Sequence, residues 1–105
     1  MRLRLWLSPG AKAQIVREDV WWQTNRTKAP NAFWEEFHAA IATLREFPET
    51  GLRVRGAFEG MRTVLLPTSR YHVYYWIDDQ RRLRVYAVWS GQRGRRPALP
   101  KRKPA

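Results

Sequence analysis

A chain of 105 residues with 44% hydrophobic composition has material for one small domain and one modest core. Lys and Arg number 20 against 9 Asp and Glu, and the resulting formal charge of +11 draws the protein toward nucleic acid, anionic membrane or an acidic protein without choosing among them. The absence of cysteine excludes disulfides, thiolate chemistry and Cys-based zinc sites, and suits a reducing compartment.

Residues 2–7 alternate Leu3, Leu5 and Leu7 with Arg2, Arg4 and Trp6, the period of a half-solvated strand. That stretch is too short and too interrupted for a signal peptide or a spanning helix, so a soluble cytoplasmic protein with no membrane partner is expected. Ser8 and Pro9 form a helix start: the serine oxygen can take a free amide, and proline fills a position whose own donor would be orphaned. The helix predicted from residue 9 to 24 turns Ala11, Ile15 and Trp22 to one side, with Glu18 or Asp19 diluting the stripe.

Turn-prone residues 25–31 interrupt the pattern. Phe33, Phe37, Ile41 and Leu44 then recur at helical spacing, with Ala40 alongside, until Pro48 and Gly51 end the run. Two helices joined by a short turn make a hairpin that needs a sheet to cover its apolar face.

Residues 52–60 read as a connector with a short strand start from Val54 to Phe58. Three alternating strands follow. Arg62, Val64 and Leu66 oppose Met61, Thr63 and Leu65; Tyr71, Val73, Tyr75 and Ile77 oppose Arg70, His72, Tyr74 and Trp76; Leu83, Val85, Ala87 and Trp89 oppose Arg82, Arg84, Tyr86 and Val88. The expected fold is α+β: an N-terminal strand, a helical hairpin and an antiparallel three-stranded meander. The domain is expected over residues 1–94, followed at 95–105 by a basic, Pro-rich tail without the apolar residues to fold alone.

In this register Tyr71, Tyr75 and Trp89 are core aromatics, whereas Tyr74, Trp76 and Tyr86 form an exposed aromatic patch of the kind that marks a partner site. His72 reads as an exposed strand residue, and two histidines without cysteine make no metal site. No metal and no cofactor are expected. Arg62 has two open roles, a partner contact or a sheet-edge pair.

The order strand, helical hairpin, meander resembles the RelE/ParE superfamily of toxins from bacterial type II toxin–antitoxin systems. The resemblance rests on Ser8 to Ala11 at the opening of the first helix, Gly60 to Val64, Arg70 to Ile77, and Val85 to Arg93 as the closing strand and its basic exit. It implies a soluble toxin, neutralised by an antitoxin whose C-terminal segment wraps it. An acidic, initially disordered peptide would offset its ordering cost with apolar contacts and gain register from arginine pairs.

The superfamily contains ribosome-dependent messenger-RNA endonucleases and ParE-like inhibitors of DNA gyrase. RNA cleavage needs groups that move protons, which arginine does poorly because its pKa stays above about 12. Lys12, Lys28, Lys101 and Lys103 all lie outside the expected sheet, and Ser90 stands near the point where nuclease members carry histidine or tyrosine. The ParE-like reading is therefore favoured, with Glu59, Arg62, His72, Arg84 and Tyr86 as the alternative nuclease set. Under the favoured reading, the target- or antitoxin-binding residues are Arg62, Arg70, Tyr74, Trp76, Arg84, Tyr86, Arg93, Arg95 and Arg96. The expected partners are an acidic antitoxin and gyrase, or alternatively a translating ribosome with its messenger RNA, with no homo-oligomer; a non-enzymatic nucleic-acid-binding domain, with aromatics stacking on bases and arginines on phosphates, ranks below both.

Overall fold

The computed structural model describes residues 2–104. The elements run β1 (Arg4–Trp6), α1 (Pro9–Asn25), α2 (Ala32–Glu46), a single 3-10 turn (Pro48–Thr50), β2 (Leu52–Arg53), β3 (Arg62–Leu65), β4 (Tyr71–Ile77), β5 (Arg82–Ser90) and a second 3-10 turn (Gly91–Arg93). They form one five-stranded sheet in the order β1-β5-β4-β3-β2, with β1 parallel to β5 and the other neighbours antiparallel. The α+β order is as expected, and the sheet extends beyond the meander at both edges. Its extra strand lies at Leu52–Arg53 rather than within 54–58: past Val54, whose N–H bonds the Met61 carbonyl at 3.1 Å, the chain turns through Gly56 in the left-handed region, at φ 82°.

Both helices begin and bury as their residues dictate. Ser8 caps α1 by accepting the Ala11 N–H at 3.1 Å, a contact of the kind worth about 1 kcal/mol. Ala11, Ile15 and Trp22 are its buried residues, and those of α2 are Phe33, Phe37, Ile41 and Leu44. All but Ala11 meet Tyr71, Val73, Tyr75, Leu83, Val85 and Val88 from the sheet in the principal core. Where β1 enters the sheet it is fastened to the end of α2: the Leu3 N–H donates to the Arg45 carbonyl at 2.8 Å, and Arg45 Nε returns a bond to the Leu3 carbonyl at 2.6 Å.

A bulge in β5 rewrites the alternation read from the sequence. Tyr74 pairs with Ala87 but Tyr75 pairs with Val85, leaving Tyr86 as the additional residue. Beyond it every side chain changes face. Val88 therefore enters the principal core, while Ala87 and Trp89 join the opposite face. The expectation that Trp89 belongs to the helix-side core is corrected on this ground; Tyr71 and Tyr75 are both core residues, at 2% and 0% exposure.

That opposite face is a second core, not an exposed aromatic patch. Tyr74 and Trp76 are 5% and 3% exposed, packed with Phe58, Met61 and Ala87, and of the three expected patch residues Tyr86 alone retains partial exposure. The cover comes from the 54–61 loop and from the C-terminal segment. Phe58 N–H donates to the Pro100 carbonyl at 3.0 Å, Trp89 Nε1 donates to the Arg95 carbonyl at 2.7 Å, and Leu99 packs against the cluster. Lys103 ends the strap on Asp79 at 2.8 Å. A segment too polar to fold alone is ordered here by borrowing the aromatic surface of the sheet.

Candidate functional site

The turn after β4 organises the arginines at one end of the sheet. Asp78 accepts the N–H groups of Gln80 and Arg82 through Oδ1, and Arg82 Nε and Arg84 Nη1 through Oδ2 at 2.8 and 3.3 Å. Burial raises the pKa of this carboxyl, but the hydrogen bonds from Arg82, Gln80 and Arg84 outweigh that effect and bring it down to about 2. Arg84 is 7% exposed. Its guanidinium carbon lies 4.0 Å from the Trp6 ring centroid and 4.9 Å from that of Trp76, so the cation is layered between aromatic faces.

Arg62 is placed differently. It sits near the β2 edge and donates through Nη1 to the Gly51 carbonyl at 2.7 Å, with the Glu49 carbonyl at 3.4 Å. The same turn is held from below by Tyr75, whose hydroxyl donates to the Pro48 carbonyl at 2.6 Å and accepts the Gly51 N–H at 2.9 Å. Arg62 and Tyr75 line a cavity of about 300 Å³ together with Trp76 and Arg81.

At the other end of the ladder, His72 lies with Tyr74, Trp89, Ser90, Arg95 and Arg96 around a cleft of about 130 Å³. Arg93, Arg95 and Arg96 are all exposed. Arg93 stands 4.3 Å over the Trp89 ring, and its Nη2 reaches Glu18 Oε2 at 3.8 Å. Tyr86 sends its hydroxyl to the Ala98 carbonyl at 3.3 Å, and Glu59 is exposed on the 54–61 loop.

The nuclease set is thus dispersed. His72 pairs with Trp89 and Arg84 with Trp76, four residues apart along β4, a separation of roughly 13 Å at the usual strand rise. Among the described residues there is no group of three His, Asp or Glu able to hold a metal ion. Among the described residues no helix is long and apolar enough to cross a membrane.

Sequence reasoning passed over the C-terminal half of α1. Arg17, Glu18, Trp21 and Arg26 converge there with Arg70 and Arg93 on a cavity of about 680 Å³. Glu18 Oε1 accepts the Tyr71 hydroxyl at 2.8 Å; burial, reinforced by this carboxylate, pushes the Tyr71 pKa far up. Arg70 adopts φ 64°, uncommon for a residue with a side chain, and its carbonyl accepts the Gly91 N–H at 2.8 Å. The available signal was helical spacing: Arg17 and Trp21 are one turn apart on the face beside the apolar stripe.

A search of curated proteins finds no match to this chain. The profile of the family described as "ParE toxin of type II toxin-antitoxin system, parDE" matches residues 5–94, from β1 through the second 3-10 turn. The sheet, the helical hairpin and this match agree: the chain belongs to the ParE family of type II toxin–antitoxin toxins.

Proposed function

We propose that this toxin inhibits growth by binding and poisoning DNA gyrase in the cytoplasm, and that an acidic cognate antitoxin neutralises it by covering the same surface. The observation that carries this reading is the separation of a buried cation from the candidate proton carrier: Arg84 is buried on Asp78 opposite Trp76, and His72 lies four positions away from Trp76 along β4. With Arg84 committed to Asp78 and standing apart from His72, this set suits recognition better than phosphodiester cleavage.

The exposed Arg93, Arg95 and Arg96, together with Arg70, are the contacts for gyrase and for the antitoxin's carboxylates, at the end of a domain that is followed by the tail from residue 95. Arg84 and Asp78 hold the β4–β5 turn at the opposite end of the sheet, and Tyr74 and Trp76 are packed beneath the strap.

The decisive experiment is gyrase supercoiling with the purified toxin titrated in, cleavage complex read in the same reaction, and antitoxin then added. Inhibition with accumulated cleavage complex, reversed by antitoxin, is the expected result. No effect from folded, growth-inhibiting protein overturns it and moves the target to the translating ribosome. His72, beside Arg95 and Arg96, then becomes the first proton carrier to replace.

A further inference from the structure

The cavity between the second half of α1 and the start of β4 is a concave surface rich in charge. Its volume of about 680 Å³ lies within the range of small-molecule sites, about 300–1,000 Å³. Four arginines and one glutamate line it, a balance of +3 (four positive charges less one negative). The glutamate is already engaged, one oxygen with the Tyr71 hydroxyl and the other with Arg93. Arg17, Arg26 and Arg70 have no acidic partner among the described residues.

An aromatic wall stands beside these cations. Trp21 is 45% exposed, and Arg26 is poised 5.2 Å from its ring centroid and 5.6 Å from that of Trp22. Trp22 is fixed by its Nε1 bond to the Ala29 carbonyl at 2.7 Å, so Arg26 rests on an immobile base. Arg70 is aimed by a backbone turn pinned at both ends, since its N–H donates to the Leu66 carbonyl at 2.9 Å while its carbonyl holds Gly91.

We propose that this cavity is a nucleotide-binding site, in which Arg17, Arg26 and Arg70 hold a phosphate and the exposed face of Trp21 stacks the attached base. Guanidinium groups match phosphate oxygens in planar, paired hydrogen bonds. A phosphate ester of one to two negative charges answers three cations better than a single carboxylate does, and a carboxylate would leave most of the volume and the indole face unused. The same chemistry has two sources, a free nucleotide or one unit of a single strand. The site goes beyond gyrase inhibition, and its test is direct binding, so the two readings fail separately.

The test titrates isotope-labelled full-length toxin with AMP, inorganic phosphate, a short single-stranded oligonucleotide and an acidic peptide at physiological salt, following the Trp21 indole N–H by NMR. That signal is expected to move with AMP and with the oligonucleotide, and less with phosphate alone. Arg17→Ala combined with Arg70→Asn, the latter chosen because asparagine tolerates the left-handed backbone, should weaken binding about tenfold or more. Trp21→Leu should weaken it about fivefold. Arg53→Ala with Arg55→Ala, which removes the same charge away from the cavity, should stay within about twofold.

Comparable affinity for AMP and oligonucleotide supports a free nucleotide as the ligand, and an oligonucleotide preference of about tenfold or more supports a strand. Equal losses in the cavity and control variants overturn the proposal in favour of general electrostatic attraction. A Trp21 signal moved only by an acidic peptide overturns it in favour of a protein contact.

Discussion

Arg84 Nη1 stands 3.3 Å from Asp78 Oδ2, and both side chains are 9% exposed, so a strongly buried arginine side chain and its carboxylate answer each other at the end of the sheet. Removing one partner of such a pair leaves the other charge desolvated. Arg84→Ala, which also strips the cation from Trp6 and Trp76, is expected to cost about 2–4 kcal/mol. Arg62→Ala, at the sheet edge, should cost about 1 kcal/mol. Urea unfolding of the two variants beside the parent checks this order.

The same carboxylate sets an acid limit. Its pKa is held at about 2, below the ordinary value of 3.8 that it regains on unfolding. A depressed carboxylate contributes stability in full above the unfolded value and loses it as pH falls toward the folded one. Glu36, lowered by the Ser69 and Thr68 N–H groups against the upward push of burial, acts with the same sign. Stability is therefore expected to fall between about pH 5 and pH 2, with Asp78 contributing on the order of 1 kcal/mol of the loss after solvent screening. Asp78→Asn should flatten that part of the pH–stability curve in thermal melts taken across the interval.

Gly51 is required by contact rather than by backbone angle. Its φ is −73°, open to any residue, yet a Cβ there would lie 2.5 Å from Tyr75 Oη and 2.9 Å from the Thr63 carbonyl. Gly51→Ala should cost about 2 kcal/mol, within the range seen for overpacking, and Tyr75→Phe about 1–2 kcal/mol, because the Gly51 N–H and the Pro48 carbonyl both lose their partner. The double variant should recover part of the sum, since deleting Oη removes the nearest clash; a double-mutant cycle measures the coupling. Strict additivity would contradict the geometry.

Removing the strap from Pro97 onward should uncover Tyr74, Trp76 and Ala87, raising the fluorescence of a hydrophobic-surface dye and lowering the urea midpoint. Leu99→Ser alone should do the same more weakly, at a cost of about 1 kcal/mol. Unchanged dye binding in the truncated protein would mean that the strap contributes no cover.

Replacing Arg93, Arg95 and Arg96 together with alanine is expected to reduce growth inhibition by about tenfold or more, the loss of a few charge-assisted contacts. Because all three are exposed and Glu18 keeps its bond from the Tyr71 hydroxyl when Arg93 is removed, the fold should lose only about 1 kcal/mol. Toxicity unchanged at equal soluble expression would remove these residues from the target-binding surface.

The helices were legible because their signal is periodic and local: Ser8 marks one start, and Phe33 to Leu44 repeats with the pitch of a helix. The helix side of β4 was legible for the same reason. The far face was not, because one inserted residue at Tyr86 reverses every later side chain in β5, and alternation carries no mark of such an insertion. Nor does composition reveal that a Pro- and Arg-rich segment will lie over Tyr74 and Trp76. Burial there depends on a contact between residues far apart in the chain, such as Phe58 with Pro100. The Arg17–Trp21–Arg26 wall was overlooked for a related reason: it becomes a cavity only when β4 and β5 bring Arg70 and Arg93 against it.

The parallel pairing of β1 with β5 places Arg4 beside Arg82. Between them lies nearly the whole domain, so the loop that must close to form this contact is as long as the fold allows. A nascent chain can form its helical hairpin early, but β1 has no strand to join until β5 has left the ribosome. Completion of the sheet is thus a late event in synthesis. The growing polypeptide passes through a period with its first strand unmatched, and the interval before the toxin is fully formed is one in which an antitoxin already present can reach it.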